Sequence, residues 1–268
     1  MSDYSKYRCI KVEKDNKLAT VTLNRPEALN AVNQDLHDEL EHIWIDIASD
    51  SDIYAVMLTG AGKAFSAGGD VKNMAARWGT AEGSQWLRRT APAGRRIIER
   101  MLDVEQPIVS AVNGDAMGLG ANLALMCDVI VASETARIAD THVKVGIVAG
   151  DSGAVIWPLL VGPARAKEFL MRGTMLTGAD AARIGLVNYA VPAGEVVAKA
   201  HSIARELADG PTFAIRWSKL AVNKWLKQQV NLILDASLAY EMMTFYTEDH
   251  KEAATAFAEK RKPTFKGK

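Results

Sequence analysis

Pro107–Met126, PIVSAVNGDAMGLGANLALM, is the stretch whose reading decides the architecture. Its first part, Pro107 to Val112, is a short apolar run that reads as a buried strand. Asn113 to Gly120 then turns the chain through Gly114, Gly118 and Gly120 into a helix with its body at Ala121 to Met126. Strand, glycine loop and helix start, in that order, point to a layered α/β fold. The free N–H groups of a first helical turn carry partial positive charge, and glycines let an anionic ligand approach them.

The chain before this stretch repeats the theme. Leu18 to Asn24 alternates as a strand and is ended by Arg25-Pro26-Glu27. Leu36, Leu40, Ile43 and Ile47 recur at helical spacing across Asp35 to Ala48, as in a helix that covers a sheet. Ala55 to Thr59 is a further buried strand, and it runs into Gly60 to Asp70, where Gly60, Gly62, Gly68 and Gly69 mark a backbone that something approaches closely. Val71 to Glu105 is helical but less regular, with Arg77, Arg88, Arg89, Arg95, Arg96 and Arg100 set among Met74, Trp78, Trp86 and Leu87. It is predicted to shape a substrate pocket.

After it come strands at Asp128 to Ala132 and Ala136 to Ala139, helices at Ala164 to Met171 and Gly178 to Ile184, and a last strand at Leu186 to Val191. From Val196 the pattern is helical only. This gives an α/β core over residues 1–195 and a C-terminal helical segment over 196–268. Leu234, Leu238 and Met242 share a helical face on that segment, and subunit contacts are expected there. No internal repeat stands out.

The second informative stretch is Ala136–Pro158, ARIADTHVKVGIVAGDSGAVIWP. His142 and Asp151 flank a run whose Gly146 and Gly150 let the backbone double back, so the two side chains can meet. An aspartate holding one imidazole nitrogen would leave the other free as a neutral base. The competing role is structural, with Asp151 capping a helix that starts near Ser152.

Lys plus Arg equals Asp plus Glu at 32 each in 268 residues, so no net field favours nucleic acid or an anionic membrane. Cys9 and Cys127 lie far apart among aliphatic residues and read as core hydrophobes, not as a disulfide or a zinc site. There is no apolar run of signal-peptide or membrane-span length, and a cytoplasmic location is expected. GxGxxG, P-loop, HExxH and GxSxG motifs are all missing, and His37, His42, His201 and His250 read as surface or half-buried helical residues without metal-ligand spacing.

Six segments in order resemble the crotonase family, the enoyl-CoA hydratase/isomerase superfamily, along nearly the whole chain. They are Asn24-Arg25-Pro26 to Leu29-Asn30-Ala31, Ala64-Phe65-Ser66-Ala67-Gly68-Gly69-Asp70, Asn113-Gly114 to Gly120, Cys127-Asp128, Gly185-Leu186-Val187, and Phe257-Ala258-Glu259-Lys260-Arg261-Lys262. The resemblance implies a ββα superhelix with a C-terminal trimerisation segment, hence a trimer or hexamer. It implies an acyl-CoA thioester substrate and no other cofactor. The family's oxyanion hole maps to the amides of Gly69 and Leu119. Coenzyme A contacts map to Arg25, Ala28, Leu29, Ala67 and Asp70, with Phe257 and Lys260 reaching in from a neighbouring subunit.

The two glutamates of a typical hydratase are matched by Asn122 and His142. Asn122 can hydrogen-bond a water or a carbonyl but cannot take a proton. His142 with Asp151 and Trp157-Pro158 instead resembles the superfamily's diketone hydrolase branch, although the second histidine of that branch has no counterpart near Leu119. The catalytic set expected is His142 as acid/base, Asp151 as its orienting partner, and Asn122. Enoyl-CoA hydration or isomerisation is the first expectation, retro-Claisen cleavage of a β-keto or cyclic diketo substrate the second, and a non-catalytic acyl-CoA-binding protein the third.

Overall fold

The computed structural model describes residues 3–71, 74 and 77–268; Lys72, Asn73, Ala75 and Ala76, within the expected Val71–Glu105 helix, lie outside it. Ile10–Asp15 (β1) and Leu18–Leu23 (β2) form an antiparallel hairpin whose turn places Asn16 in the left-handed region. The sequence pattern does not announce β1. It is an edge strand, IKVEKD, whose exposed lysines and acids discourage pairing with another chain.

After Gln34–Ser49 (α1), a strand of the main sheet is followed at once, three times over, by a strand of a second sheet. Ala55–Gly60 (β3) leads to Ala64–Ser66 (β4), with helix Ala81–Asp103 (α2) after it. Ile108–Val112 (β5) leads to Asp115–Met117 (β6) and helix Leu119–Leu125 (α3). Val129–Ser133 (β7) leads to Arg137–Ala139 (β8), then Gly153–Val161 (α4) and Pro163–Arg172 (α5). Leu176–Thr177 (β9), helix Gly178–Arg183 (α6) and Tyr189–Val191 (β10) complete two sheets of order β1-β2-β3-β5-β7-β10 and β4-β6-β8-β9. Apart from the β1/β2 and β8/β9 pairs, the pairing is parallel. This is the expected ββα superhelix. The last strand is shorter than expected because Gly185, at φ +79, turns the chain, and Leu186 and Val187 are buried before pairing begins.

Strands in the main sheet are buried on both faces, which is why AVMLTG and IVSAV read as unbroken apolar runs. Val56, Leu58, Ile108 and Val112 face α1 and α2, packing with Leu40, Trp44, Ile97 and Met101. Ala55, Met57, Val109 and Ala111 face Val196–Asp209 (α7), whose Val196, Ala200, Ala204 and Ala208 form a small-residue stripe. The sheet's second face is thus closed by a helix beyond residue 195.

Two helices remain, Thr212–Thr244 (α8) and Glu248–Ala258 (α9). Here the structure corrects an expectation: Leu234 and Leu238 turn inward into the chain's own core, and Met242 lines a cavity. Their helical spacing reflects burial against α2 and α4, not a face left for a subunit. Met243 is the neighbour that points out, at 68 % exposure. Among the described residues, no helix is long and apolar enough to cross a membrane.

A core role for Leu234 predicts that Leu234→Ala lowers the unfolding free energy by about 2–5 kcal/mol. Met243→Ala would change it by less than about 0.5 kcal/mol. Chemical denaturation of the two variants checks this, and equal effects would return Leu234 to the surface.

Candidate active site

The two glycine loops lie against each other so closely that side chains are excluded. Gly68 sits at φ +82, and a Cβ there would fall 2.5 Å from the Met117 carbonyl oxygen; one on Gly120 would fall 2.5 Å from Ser66 Cβ. This contact brings the start of α3 beside the residue after Gly68. Among the described residues, the amides of Gly69 and Leu119 donate to no internal acceptor. Both residues line one cavity with His142 and Asp151, as the oxyanion-hole expectation requires. That cavity encloses about 730 Å³ of empty space, its mouth included.

His142 opens a 3-10 turn, His142–Val145, closed by Gly146 at φ +72. Its imidazole lies between carboxylates. Nδ1 is 2.7 Å from Asp140 Oδ1, and Nε2 is 3.1 Å from Asp151 Oδ2. The expected pair is therefore present, but the residue that fixes the ring from behind is Asp140, which sequence reasoning did not single out. Asp151 occupies the side that faces the cavity. The capping role fails: α4 is preceded by Ser152 at φ +85, and no side chain caps it.

Asn122 also differs from expectation. Its Nδ2 donates to Asp140 Oδ2 at 3.0 Å and to Asp151 Oδ1 at 2.8 Å, while its Oδ1 accepts from Trp157 Nε1 at 3.0 Å. Fully buried with its N–H groups engaged by both acids, it holds the carboxylates and does not face the cavity.

Burial disfavours a charged His142 ring, but the two aspartates and their hydrogen bonds override it and hold its pKa well above 6.5. That direction favours the protonated ring, whereas the sequence reading takes a neutral imidazole as the base. Burial likewise opposes ionisation of Asp140, but His142 and Asn122 bring its pKa below the ordinary 3.8. The side chains of Asp140, His142 and Asp151 are close enough to share a cation. Both imidazole nitrogens are already matched to carboxylates, so hydrogen bonding accounts for the cluster.

C-terminal helices grip this loop. Ser237 Oγ donates to the Gly150 carbonyl at 2.8 Å, and Val148 N–H donates to Thr244 Oγ1 at 3.1 Å. His250 Nδ1–H reaches the Val145 carbonyl at 2.7 Å. His250 is buried, contrary to expectation, and burial pushes its pKa down. Gly150 serves close approach rather than a special φ, since a Cβ there would lie 2.5 Å from Ser237 O and from Glu241 Oε2.

Glu241 and His37 both line the cavity and were not marked by the sequence. Burial, and then the charge of Asp151, raise the Glu241 pKa well above 4.5, which favours its neutral form. Burial lowers the His37 pKa, leaving that ring neutral. Neither position carries a local motif, because α1 and α8 meet the loop only in three dimensions.

Of the coenzyme A candidates, Asp70 alone lines the cavity. Arg25 and Leu29 belong to a turn beside the Ser66–Gly68 loop: Arg25 Nη1 donates to the Ala31 carbonyl, Ala28 is in a 3-10 turn, and Ala67 N–H donates to the Leu29 carbonyl at 2.9 Å. Leu29 is left-handed at φ +53 and 39 % exposed. Phe257, 54 % exposed, is near the end of α9, which packs on the His142–Val145 turn, and Lys260 follows at φ +55.

The family model for enoyl-CoA hydratase/isomerase matches residues 13–268. The chain belongs to this family. A short-chain-enoyl-CoA hydratase of Clostridium acetobutylicum is 38 % identical, with 94 % of this chain and 95 % of the relative covered. Among solved structures, an enoyl-CoA hydratase/isomerase from Mycobacterium paratuberculosis superposes with a TM-score of 0.87 at 37 % identity, covering 92 % of this chain and 97 % of the other. A β-diketone hydrolase from the cyanobacterium Anabaena, bound to (S)-3-oxocyclohexyl acetic acid, gives 0.80 at 31 % identity, covering 91 % and 96 %. Within the enoyl-CoA hydratase/isomerase family, the His142–Asp151 pair, 3.1 Å apart, is thus set in a crotonase framework.

The raised His142 pKa has a defined sign. Protonation of the ring stabilises the fold fully below about 6.5, the unfolded value, and this contribution is lost as pH rises through the higher folded pKa. Asp140, with its lowered pKa, contributes above 3.8 and loses its effect as pH falls through the folded value. Asp140→Asn is expected to move the His142 titration midpoint, followed by NMR of the imidazole, to lower pH. An unmoved midpoint would show that Asp140 does not set the ring's charge.

Proposed function

We propose that the protein transforms acyl-CoA thioesters by enoyl-CoA hydratase-type chemistry, with Asp151 and His142 as one acid/base unit. The observation that carries this is the convergence of Gly69, Leu119, His142 and Asp151 on one cavity. The thioester oxygen accepts from the amides of Gly69 and Leu119, which hold the enolate as charge develops on it. Asp151 takes a proton from water as the hydroxyl adds to Cβ of the enoyl group. The pair then returns a proton to Cα, so one water is added and no proton is gained or lost by the protein. The His142 imidazolium supplies Asp151 with a charge-assisted donor throughout.

A second reaction draws on the same groups. The likeness to the β-diketone hydrolase, together with a His142–Asp151 pair and with Asn122 and His142 at the positions that match the hydratase glutamates, supports hydrolytic cleavage of a β-keto or cyclic diketo compound. Water would attack a carbonyl, the carbon–carbon bond would break to an enolate held by the two amides, and the pair would protonate the leaving carbon.

Coenzyme A is assigned to Arg25, Ala28, Leu29, Ala67 and Asp70, with Phe257 and Lys260 serving a neighbouring copy in a trimer or hexamer. The exposure of Leu29 and Phe257 supports this assignment.

With a short-chain enoyl-CoA, His142→Ala and Asp151→Asn are each expected to lower kcat by roughly 10²-fold or more. The double variant should lose much less than the product, because the residues act as a unit. Activity should also decline as pH rises through the raised His142 pKa, since the imidazolium is then lost. Product structure separates the readings: a 3-hydroxyacyl-CoA supports hydration, a ring-opened keto acid from a diketone supports cleavage, and full activity of Asp151→Asn would end both.

A further inference from the structure

The main cavity does not stop at its reacting end. Met74, Arg77, Trp86 and Phe245 also line a second cavity of about 290 Å³ of empty space, so they form a common wall. Trp86 and Phe245 meet edge to face with centroids 5.4 Å apart, and the Arg77 guanidinium lies 5.3 Å from the Trp86 centroid. The wall is aromatic but carries a cation.

That cation is poorly matched within the chain. Among the described residues, its nearest carboxylate oxygen is Glu82 Oε1 at 3.8 Å, on a side chain 79 % exposed. Beyond the wall, Trp78 lines the second cavity, and its indole N–H is buried without an acceptor. A buried donor left without an acceptor is unfavourable, so the Trp78 N–H near a guanidinium whose nearest carboxylate is distant and exposed asks for an explanation. Lys251 Nζ, 4.2 Å from the Trp78 centroid, adds positive charge on the same side. The carboxylates nearest these cations, Glu82 at 3.8 Å from Arg77 and Glu248 at 3.8 Å from Lys251, are both on exposed side chains. An alkyl end would leave the N–H and the guanidinium unsatisfied, whereas a carboxylate accepts from both.

We propose that Arg77 and the Trp78 indole N–H form a distal subsite for a carboxylate carried at the far end of the acyl group. The preferred substrates are then ω-carboxyacyl thioesters. This rests on the acyl-CoA assignment above: a thioester oxygen anchored at Gly69 and Leu119 directs the acyl group along Leu238 and Met242 towards the Trp86–Phe245 wall.

The test uses the full-length protein and pairs of saturated acyl-CoA thioesters of matched length, one ending in methyl and the other in carboxylate. Calorimetry should give tighter binding of the carboxylate member by about 10-fold or more at the best-fitting length, the scale of a charge-assisted hydrogen bond. Arg77→Met should bring that ratio close to one, and Trp78→Phe, which removes the N–H but keeps an aromatic ring of smaller size, should reduce it in part. If the methyl member binds as well at every length while a plain enoyl-CoA is still turned over, the subsite is wrong and the acyl-CoA assignment stands. If no thioester binds at all, the acyl-CoA assignment fails and takes the subsite with it.

Discussion

Asp140 is a carboxylate with 1 % of its surface exposed, and a charge so placed must be matched where it stands. Its match is the His142 ring at 2.7 Å, with Asn122 as the second donor. From this requirement much of the site's geometry follows. The ring cannot rotate without stranding Asp140, so Nε2 is fixed towards the cavity, where Asp151 meets it. Asn122 must place its Nδ2 towards both acids, which leaves Oδ1 for Trp157. Buried ion pairs are poor devices for stability, since desolvation offsets their attraction; what they fix well is geometry.

The charge count of the cluster bears on the chemistry. Asp140 and Asp151 both lie against the His142 ring and raise its pKa, while burial and the charge of Asp151 raise the pKa of Glu241. Where a typical hydratase places two glutamates, this chain has Asn122 and His142, and the cavity-lining carboxylate that meets the imidazole is Asp151. That arrangement suits proton return to a carbon next to a thioester, and equally to a carbon released from a broken bond. The framework fixes where negative charge is stabilised on the substrate, and the substrate decides which bond changes.

Much of this was legible in the residues. Both glycine loops, the main-sheet strands beyond the first hairpin and the meeting of His142 with Asp151 follow from local pattern, because turns and buried strands are local properties. Asp140 lies within ARIAD and escaped notice because a carboxylate after a strand reads as ordinary turn chemistry. Glu241 and His37 escaped because their relation to the loop is purely spatial, each lying at least 90 residues from it along the chain. The threefold succession of paired strands left no visible repeat, since the superhelix repeats backbone direction while each turn buries different side chains. The inward face of α8 was misassigned for a related reason: helical spacing reports that a face is covered and is silent about what covers it.

The length of α8 has a mechanical side. At the usual rise of an α-helix, its 33 residues span about 50 Å in one unbroken rod. Near its start, Arg216 holds the Ile53 carbonyl and Lys219 pairs with Asp128, both at the ends of main-sheet strands. Near its finish, Ser237 and Thr244 hold the His142–Asp151 loop. The rod therefore works as a gauge bar between the sheet's edge and the reacting groups. Thermal motion that would spread the cavity has to tilt the whole bar or bend it, so the loop inherits the stiffness of a sheet it never touches through α8 alone.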